Sequence, residues 1–315
     1  MTSKKLLHII NQIQNEETRW DGILALKVFD EPNIVQDFIS LLQHENWVIR
    51  WCIAEKLGDL KHPLAIDPLI ERLSSLEPDT HVKKNAFNAL KKYPLSIISV
   101  CVPYLNNPEM FIRTSILELF FNIGEQGLPA IKVALIKSKD WVISNHLLYA
   151  VWKISQGHCE EFLISLMDNL FVQKNVILLL GSIKSEKSIS QLIQNYQKPD
   201  LKRLILYAIK FIGQDKVFPE IVDYLSIAQY RPNCISMIKK IGPAILPYLI
   251  KGFEKKDIPT QVIVDLIVSI GPEKVLKKLE LLAEKNHHLK KVIPLIKEKS
   301  EKIPPLSNFF GIFTG

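Results

Sequence analysis

Apolar positions along the chain recur three and four residues apart in block after block, and no alternating period-two run of useful length interrupts them. That spacing predicts amphipathic helices and leaves strands no foothold. Several of the helical blocks end in an apolar–Gly step and are followed by another helix. They read Leu57-Gly58, Ile123-Gly124, Leu180-Gly181, Ile212-Gly213, Ile241-Gly242 and Ile270-Gly271, the last four spaced 32, 29 and 29 residues apart. Degenerate turns near Phe29-Asp30, Tyr93-Pro94 and Ile154-Ser155 fill the wider gaps, so the period is close to thirty.

Each unit of the repeat has the same content. A helix ends at a Gly or its substitute, where a left-handed residue suits the helix stop. A short turn follows, often with Pro (Pro32, Pro63, Pro129, Pro219, Pro243), and then another helix such as residues 65–73. One hairpin cannot bury its apolar face alone, whereas stacked hairpins share a continuous core. The expected fold is therefore all-α, an α-solenoid of about nine two-helix repeats. It would run as one array over residues 1–302, with a Pro/Phe-rich tail at 303–315.

The pattern becomes specific at the start of the second helix of a pair. Asn46-Trp47-Val48-Ile49-Arg50-Trp51-Cys52-Ile53-Ala54-Glu55-Lys56-Leu57-Gly58 resembles the Asp-x-x-Val-Arg…Ala-x-x-Leu-Gly pattern of the phycobilisome-lyase-like HEAT repeats. Asp79-Thr80-His81-Val82-Lys83, Glu109-Met110-Phe111-Ile112-Arg113 and Asp140-Trp141-Val142-Ile143-Ser144 repeat its opening. The resemblance implies a HEAT-like superhelix over about residues 20–300, strongest at 45–155. It implies that the acidic residue caps the helix and that the basic residue (Arg50, Arg113) joins a polar ladder between neighbouring repeats. An N-cap carboxylate also makes local sense, because it satisfies free N–H groups. Cys52 stands where the family has Ala on the inward face, which makes it a small core residue.

Composition agrees with a folded, soluble chain: 47% hydrophobic and 23% charged residues, with 12 Gly and 18 Pro in 315. No apolar run reaches the length of a membrane span. Asn11, Gln12, Gln14 and Asn15 cut the first apolar stretch, so no secretory segment is read. The four cysteines, Cys52, Cys101, Cys159 and Cys234, form no close pair, and a reduced, cytoplasmic protein is expected. The net charge of +7 is not evenly spread. Residues 1–157 hold 17 Lys+Arg against 17 Asp+Glu, and residues 158–315 hold 23 against 16.

No GxSxG, HExxH, GxxxxGK[ST] or GxGxxG pattern occurs. His158-Cys159-Glu160-Glu161 is the densest set of potential ligands, but adjacent residues do not converge for tetrahedral closure, and it reads as a polar turn. His287-His288 sits among lysines and reads as a solvated face. No metal or cofactor is expected, and no catalytic residue is assigned.

All five tryptophans (Trp20, Trp47, Trp51, Trp141, Trp152) lie in the first half. With Ile49, Ile53 and Leu57 inward, Trp47 and Trp51 fall on the opposite face, and Trp141 repeats the register of Trp47. Second helices line the concave side of a HEAT superhelix, so the expected partner-binding set is Trp47, Arg50, Trp51, Met110, Arg113 and Trp141. Packing of these rings between repeats is the alternative. The lysines of the second half (Lys239-Lys240, Lys251, Lys255-Lys256, Lys274, Lys277-Lys278, Lys290-Lys291) read as a solvated face at helix ends, or as a stripe for phosphates. Phe309, Phe310 and Phe313 make the tail apolar, suited either to capping the last repeat or to entering a partner.

The leading functional expectation is a non-enzymatic scaffold that binds a protein partner along its concave face. The resemblance offers a second, because the subfamily includes lyases that attach or isomerise bilins on phycobiliproteins, often as paired HEAT subunits. In that case the partner is a bilin-carrying protein. A third is nucleic-acid binding through the lysine-rich half, as in the HEAT-like DNA-alkylation-repair glycosylases. Those combine a basic concave face with aromatics, and here the tryptophans and the positive charge lie in different halves.

Overall fold

The structure is a computed structural model and describes residues 4–31, 34–271 and 287–301, with positions 276, 279, 280 and 283 between the last two. The tail with Phe309, Phe310 and Phe313, together with Pro32, Lys274 and Lys277-Lys278, lies outside the described residues. Every regular element among the described residues is helical, and the chain divides into two compact units, Met1–Cys159 and Glu160–Gly315.

The first unit holds five hairpins: α1 (Lys4–Gln14) with α2 (Arg19–Val28), α3 (Val35–Leu41) with α4 (Trp47–Leu60), α5 (Ile66–Glu71) with α6 (Thr80–Leu90), α7 (Ile97–Cys101) with α8 (Met110–Ile123), and α9 (Leu128–Lys137) with α10 (Trp141–Ile154). The second unit continues the pattern with α11 (Glu160–Ser165) and α12 (Gln173–Ser182), α13 (Ile189–Asn195) and α14 (Lys202–Ile212), α15 (Gln214–Asp223) and α16 (Arg231–Ile241), and α17 (Leu246–Gly252) and α18 (Thr260–Ile270). Helix α19 (His287–Glu301) follows and packs on α18. Inside each unit, second helices stack on second helices, as α4 does on α6 and α12 on α14. This is the all-α solenoid arrangement.

The inward register is as the apolar spacing requires. Ile49, Ile53 and Leu57 on α4 are fully buried, as are Ile205 and Ala208 on α14. Each such branched aliphatic side chain contributes about 1.5–3 kcal/mol by leaving water.

The Gly steps turn out to be of two kinds. Gly124, Gly213, Gly242 and Gly271 follow their helices at φ of 66°, 114°, 74° and 129°, where a side chain would be strained, so these are true helix stops. Gly58 and Gly181 are not stops. Each lies inside its helix, and a Cβ added there would come within 2.6 Å of the Ala89 Cα or 2.7 Å of the Ala208 Cα on the neighbouring second helix. Left-handed lysines three residues on, Lys61 (φ 51°) and Lys184 (φ 55°), mark the actual chain reversals. Pro219, expected in a turn, sits inside α15.

Polar side chains bridge successive hairpins about thirty residues apart. In the first unit Lys92 Nζ lies 2.6 Å from Asp59, the Tyr104 hydroxyl donates to Asp67 at 2.9 Å, and Asn85 Nδ2 donates to the Trp51 carbonyl at 2.9 Å. The second unit uses lysines: Lys187 with Glu161 at 3.0 Å, Lys198 with Asp168 at 3.3 Å and Lys216 with Glu186 at 3.1 Å. Lys255 pairs with Asp223 and Lys299 with Asp265. Exposed pairs of this kind contribute about 0–1 kcal/mol each, so they set register more than stability.

Candidate partner-binding surface

Three of the four second helices from α4 to α10 begin on the same capping scheme. The Asn46 side chain accepts from the Val48 N–H, Asp79 from His81 and Val82, and Asp140 from Ile143. Glu109 departs from the scheme. Its carboxylate accepts instead from the Ser75 N–H at 2.7 Å and the Ser75 hydroxyl at 2.8 Å, and these bonds hold Glu109 below the usual carboxylate range.

Because the helix start recurs, the first helical residue falls at the same register position every time. Those residues are Trp47 on α4, Thr80 on α6, Met110 on α8 and Trp141 on α10. The inward positions are already filled, so the side chains face outward. Trp47 is 44% exposed, Met110 61% and Trp141 64%, and Phe111 beside Met110 is 57% exposed. The row has internal contacts. The Trp47 ring lies 5.7 Å from that of His81, and Lys83 Nζ sits 5.6 Å over the Phe111 ring. A polar cleft of about 580 Å³, lined in part by Gln14, Arg19, His44 and Asn46, opens against Trp47.

Of the six residues expected to meet a partner, the structure puts Trp47, Met110 and Trp141 on the surface and leaves Trp51 half-buried. Arg50 does not belong with them. It is buried, and its guanidinium grips Glu77 through Nε at 3.0 Å and Nη2 at 2.7 Å. Its Nη1 donates to the His44 and Glu45 carbonyls at 2.7 and 2.8 Å, closing one hairpin while binding the next repeat. Arg113 makes the same clasp on the Asn107 and Pro108 carbonyls at 2.7 and 2.8 Å, as Arg231 does on Leu225 and Ser226 in the second unit. Arg50 thereby joins neighbouring repeats, as the repeat resemblance implies, whereas the bonds of Arg113 stay inside its own hairpin.

Sequence reasoning missed part of the outward face. Phe111 was signalled by its place beside Met110. Tyr149, eight residues after Trp141 and so on the same side of α10, is exposed, edge-on to Phe121 at 5.8 Å and stacked on Trp152 at 6.5 Å. Trp20, Leu24 and Val28 are exposed at successive four-residue intervals on α2.

Among the described residues nothing comparable gathers around a reactive group. Among the described residues, no three His, Cys, Asp or Glu side chains come together in a way that could hold a metal ion. His158 contacts the Ser155 carbonyl at 3.2 Å in one unit, while Glu160 and Glu161 face Lys187 in the other. A cleft of about 390 Å³ in the second unit is lined by Asp215, Asp223, Tyr248, Lys251 and Lys255. There the Tyr248 hydroxyl donates to Asp215 at 2.5 Å and Lys255 pairs with Asp223, so most of its charge is already partnered. Burial pushes the Cys52, Cys101 and Cys234 thiols up to about 12, which leaves them protonated and unreactive. At pH 8 these three are expected to resist iodoacetamide in the native protein and to react on unfolding, as peptide mass mapping would read. Native-state alkylation of any of them would contradict the packing.

Comparison with known proteins bears on the architecture. The family model described as HEAT repeats matches the first three hairpins. The match covers residues 3–91. No curated protein matches the chain significantly. Among solved structures, human deoxyhypusine hydroxylase in complex with glycerol is 14% identical, with 74% of this chain and 94% of that chain covered and a TM-score of 0.30. The complex of CpcE and CpcF of phycocyanin lyase from a Nostoc species is 17% identical, covering 86% and 97%, at a TM-score of 0.23. At these values the likenesses carry no function across. Among the described residues no helix is long and apolar enough to cross a membrane.

Proposed function

We propose that the protein is a HEAT-repeat scaffold that binds a protein partner through the outward face of the second helices in its first unit. The observation that carries this reading is the row Trp47, Met110–Phe111 and Trp141. Large apolar side chains occupy the first helical position on three of four successive second helices and remain exposed there. Isolated exposed apolar residues are common on any surface, but recurrence at one structural position makes a shared strip. Aromatic rings are also the side chains that most often anchor protein interfaces.

The rings contribute little to the core, so removing them separates binding from folding. Trp47→Ala with Trp141→Ala is expected to leave helicity unchanged and lower the melting temperature by no more than a few degrees. The same variant should lose, by tenfold or more, the protein that the wild type retains in quantitative capture from native lysate. A variant that unfolds would place the rings in the core, and one that captures the same protein equally well would remove the surface from the account.

A further inference from the structure

We infer that the second unit carries a separate binding surface for single-stranded nucleic acid, on the outward face of α12, α14 and α16. These three successive second helices bear Lys174, Lys202, Arg203, Lys210, Arg231, Lys239 and Lys240, and not one Asp or Glu. The neighbouring carboxylates are placed elsewhere. Glu160 and Glu161 are on α11, Asp215, Glu220 and Asp223 are on α15, Asp168 and Glu186 are in the connections, and Asp200, just before Lys202, is the one carboxylate beside the start of α14. Several of them are neutralised by the lysine ladder between repeats. The ladder thus takes up negative charge away from the second helices and leaves their face cationic.

Two of the seven bases have work inside the fold. Arg231 clasps the Leu225 and Ser226 carbonyls, and Lys202 sits 5.6 Å over the Tyr196 ring. The other five, Lys174, Arg203, Lys210, Lys239 and Lys240, are exposed, and none forms an ion pair among the described residues. Unpaired like charges repel one another, so a face holding five of them is stabilised by a polyanion.

The aromatic residues decide which polyanion. Tyr207 and Phe211 follow Arg203 at four-residue intervals on α14, 54% and 45% exposed, with ring centroids 4.7 Å apart in an edge-on pair. Tryptophans alone placed the aromatics and the positive charge in different halves; this pair puts rings among the bases. Exposed rings amid lysines offer stacking surfaces for unpaired bases while the ammonium groups follow the phosphates. A duplex hides its base faces from such rings. The Asp and Glu side chains of an acidic peptide bring no ring to stack, and their carboxylates favour Arg forks, of which this face has one free.

The test is anisotropy of a labelled dT20 oligonucleotide with the full-length chain, titrated at several salt concentrations. Binding should weaken with a log–log salt slope of about −3.5, from about −0.7 for each of five neutralised phosphates. Lys239→Glu with Lys240→Glu should move the slope to about −2 and weaken binding more than tenfold at 50 mM salt. Tyr207→Ala with Phe211→Ala should weaken it by at least about fivefold with the slope unchanged, from about 1 kcal/mol or more for each stacked base. Lys251→Glu with Lys256→Glu makes the same change in net charge away from the face and should alter affinity by no more than about twofold. Circular dichroism of each variant should match the wild type, since every substituted residue but the half-exposed rings is fully on the surface. The inference is overturned if dT20 does not bind at 50 mM salt, or if the control pair weakens binding as much as the α16 pair. It is equally overturned if the aromatic variant binds normally, or if polyglutamate or phosphatidylserine vesicles bind more tightly than dT20.

Discussion

Glu77→Ala is expected to destabilise the first unit by about 3–5 kcal/mol, the cost of leaving one partner of a buried ion pair uncompensated. Glu77 is almost fully buried and accepts from Arg50 at two points, from the Asp79 N–H at 3.1 Å and more weakly from Arg72 at 3.4 Å. Removing its carboxylate strands the Arg50 guanidinium in a dry site and releases the loop that caps α6. Urea denaturation followed by far-ultraviolet circular dichroism would measure the loss. Replacing both partners with apolar residues, Arg50→Met with Glu77→Leu, should recover part of it, because the buried Arg50 charge is gone while Arg72 keeps only its bond to the Leu42 carbonyl. If the single variant is as stable as the wild type, the pair is not the junction described between the second and third hairpins.

The second large effect concerns Gly58 and Gly181. In an open helix, Gly→Ala gains about 1 kcal/mol from propensity, so stabilisation would be the ordinary expectation. Here the new methyl group meets backbone: the Ala89 Cα at 2.6 Å in one case and the Ala208 Cα at 2.7 Å in the other. The neighbouring helix must move, and overpacking of this kind costs about 1–3 kcal/mol, or more where the backbone is rigid. The clash outweighs the propensity. Gly58→Ala and Gly181→Ala should therefore both destabilise, and the valine variants should lose more than about 3 kcal/mol. Thermal melts of the four variants decide the sign, and a raised melting temperature for either alanine variant would contradict the close helix approach.

These two cases show where the sequence was legible. The thirty-residue period, the inward register of Ile49, Ile53 and Leu57 and the caps at Asn46, Asp79 and Asp140 depend on local spacing, and local spacing is what a sequence displays. Gly58 and Gly181 were misread as stops because a Gly after Leu serves two purposes: a left-handed cap, or a gap through which a second helix approaches. Only the neighbouring helix tells them apart, and the left-handed stops at Lys61 and Lys184 carry no residue signal. Arg50 was assigned to the partner face because its anchor, Glu77, is 27 residues away and nothing in the local pattern pairs them. Trp47, Met110 and Trp141 could be placed because the recurring helix start sets their register. The basic face of α12, α14 and α16 could not. Its meaning depends on which helices lack carboxylates, and that appears only once first and second helices are separated.

The central claim is that a protein partner lies along the Trp47–Met110–Trp141 row. Site-specific photo-crosslinking tests it most directly, with benzoylphenylalanine placed at Met110 and, as a control, at exposed Leu64 in the turn before α5. Irradiation in native lysate should give one defined crosslinked species from position 110, lost when Trp47 and Trp141 are also alanine, and none from position 64. Identical crosslinks from both positions, or none from position 110, would contradict the account.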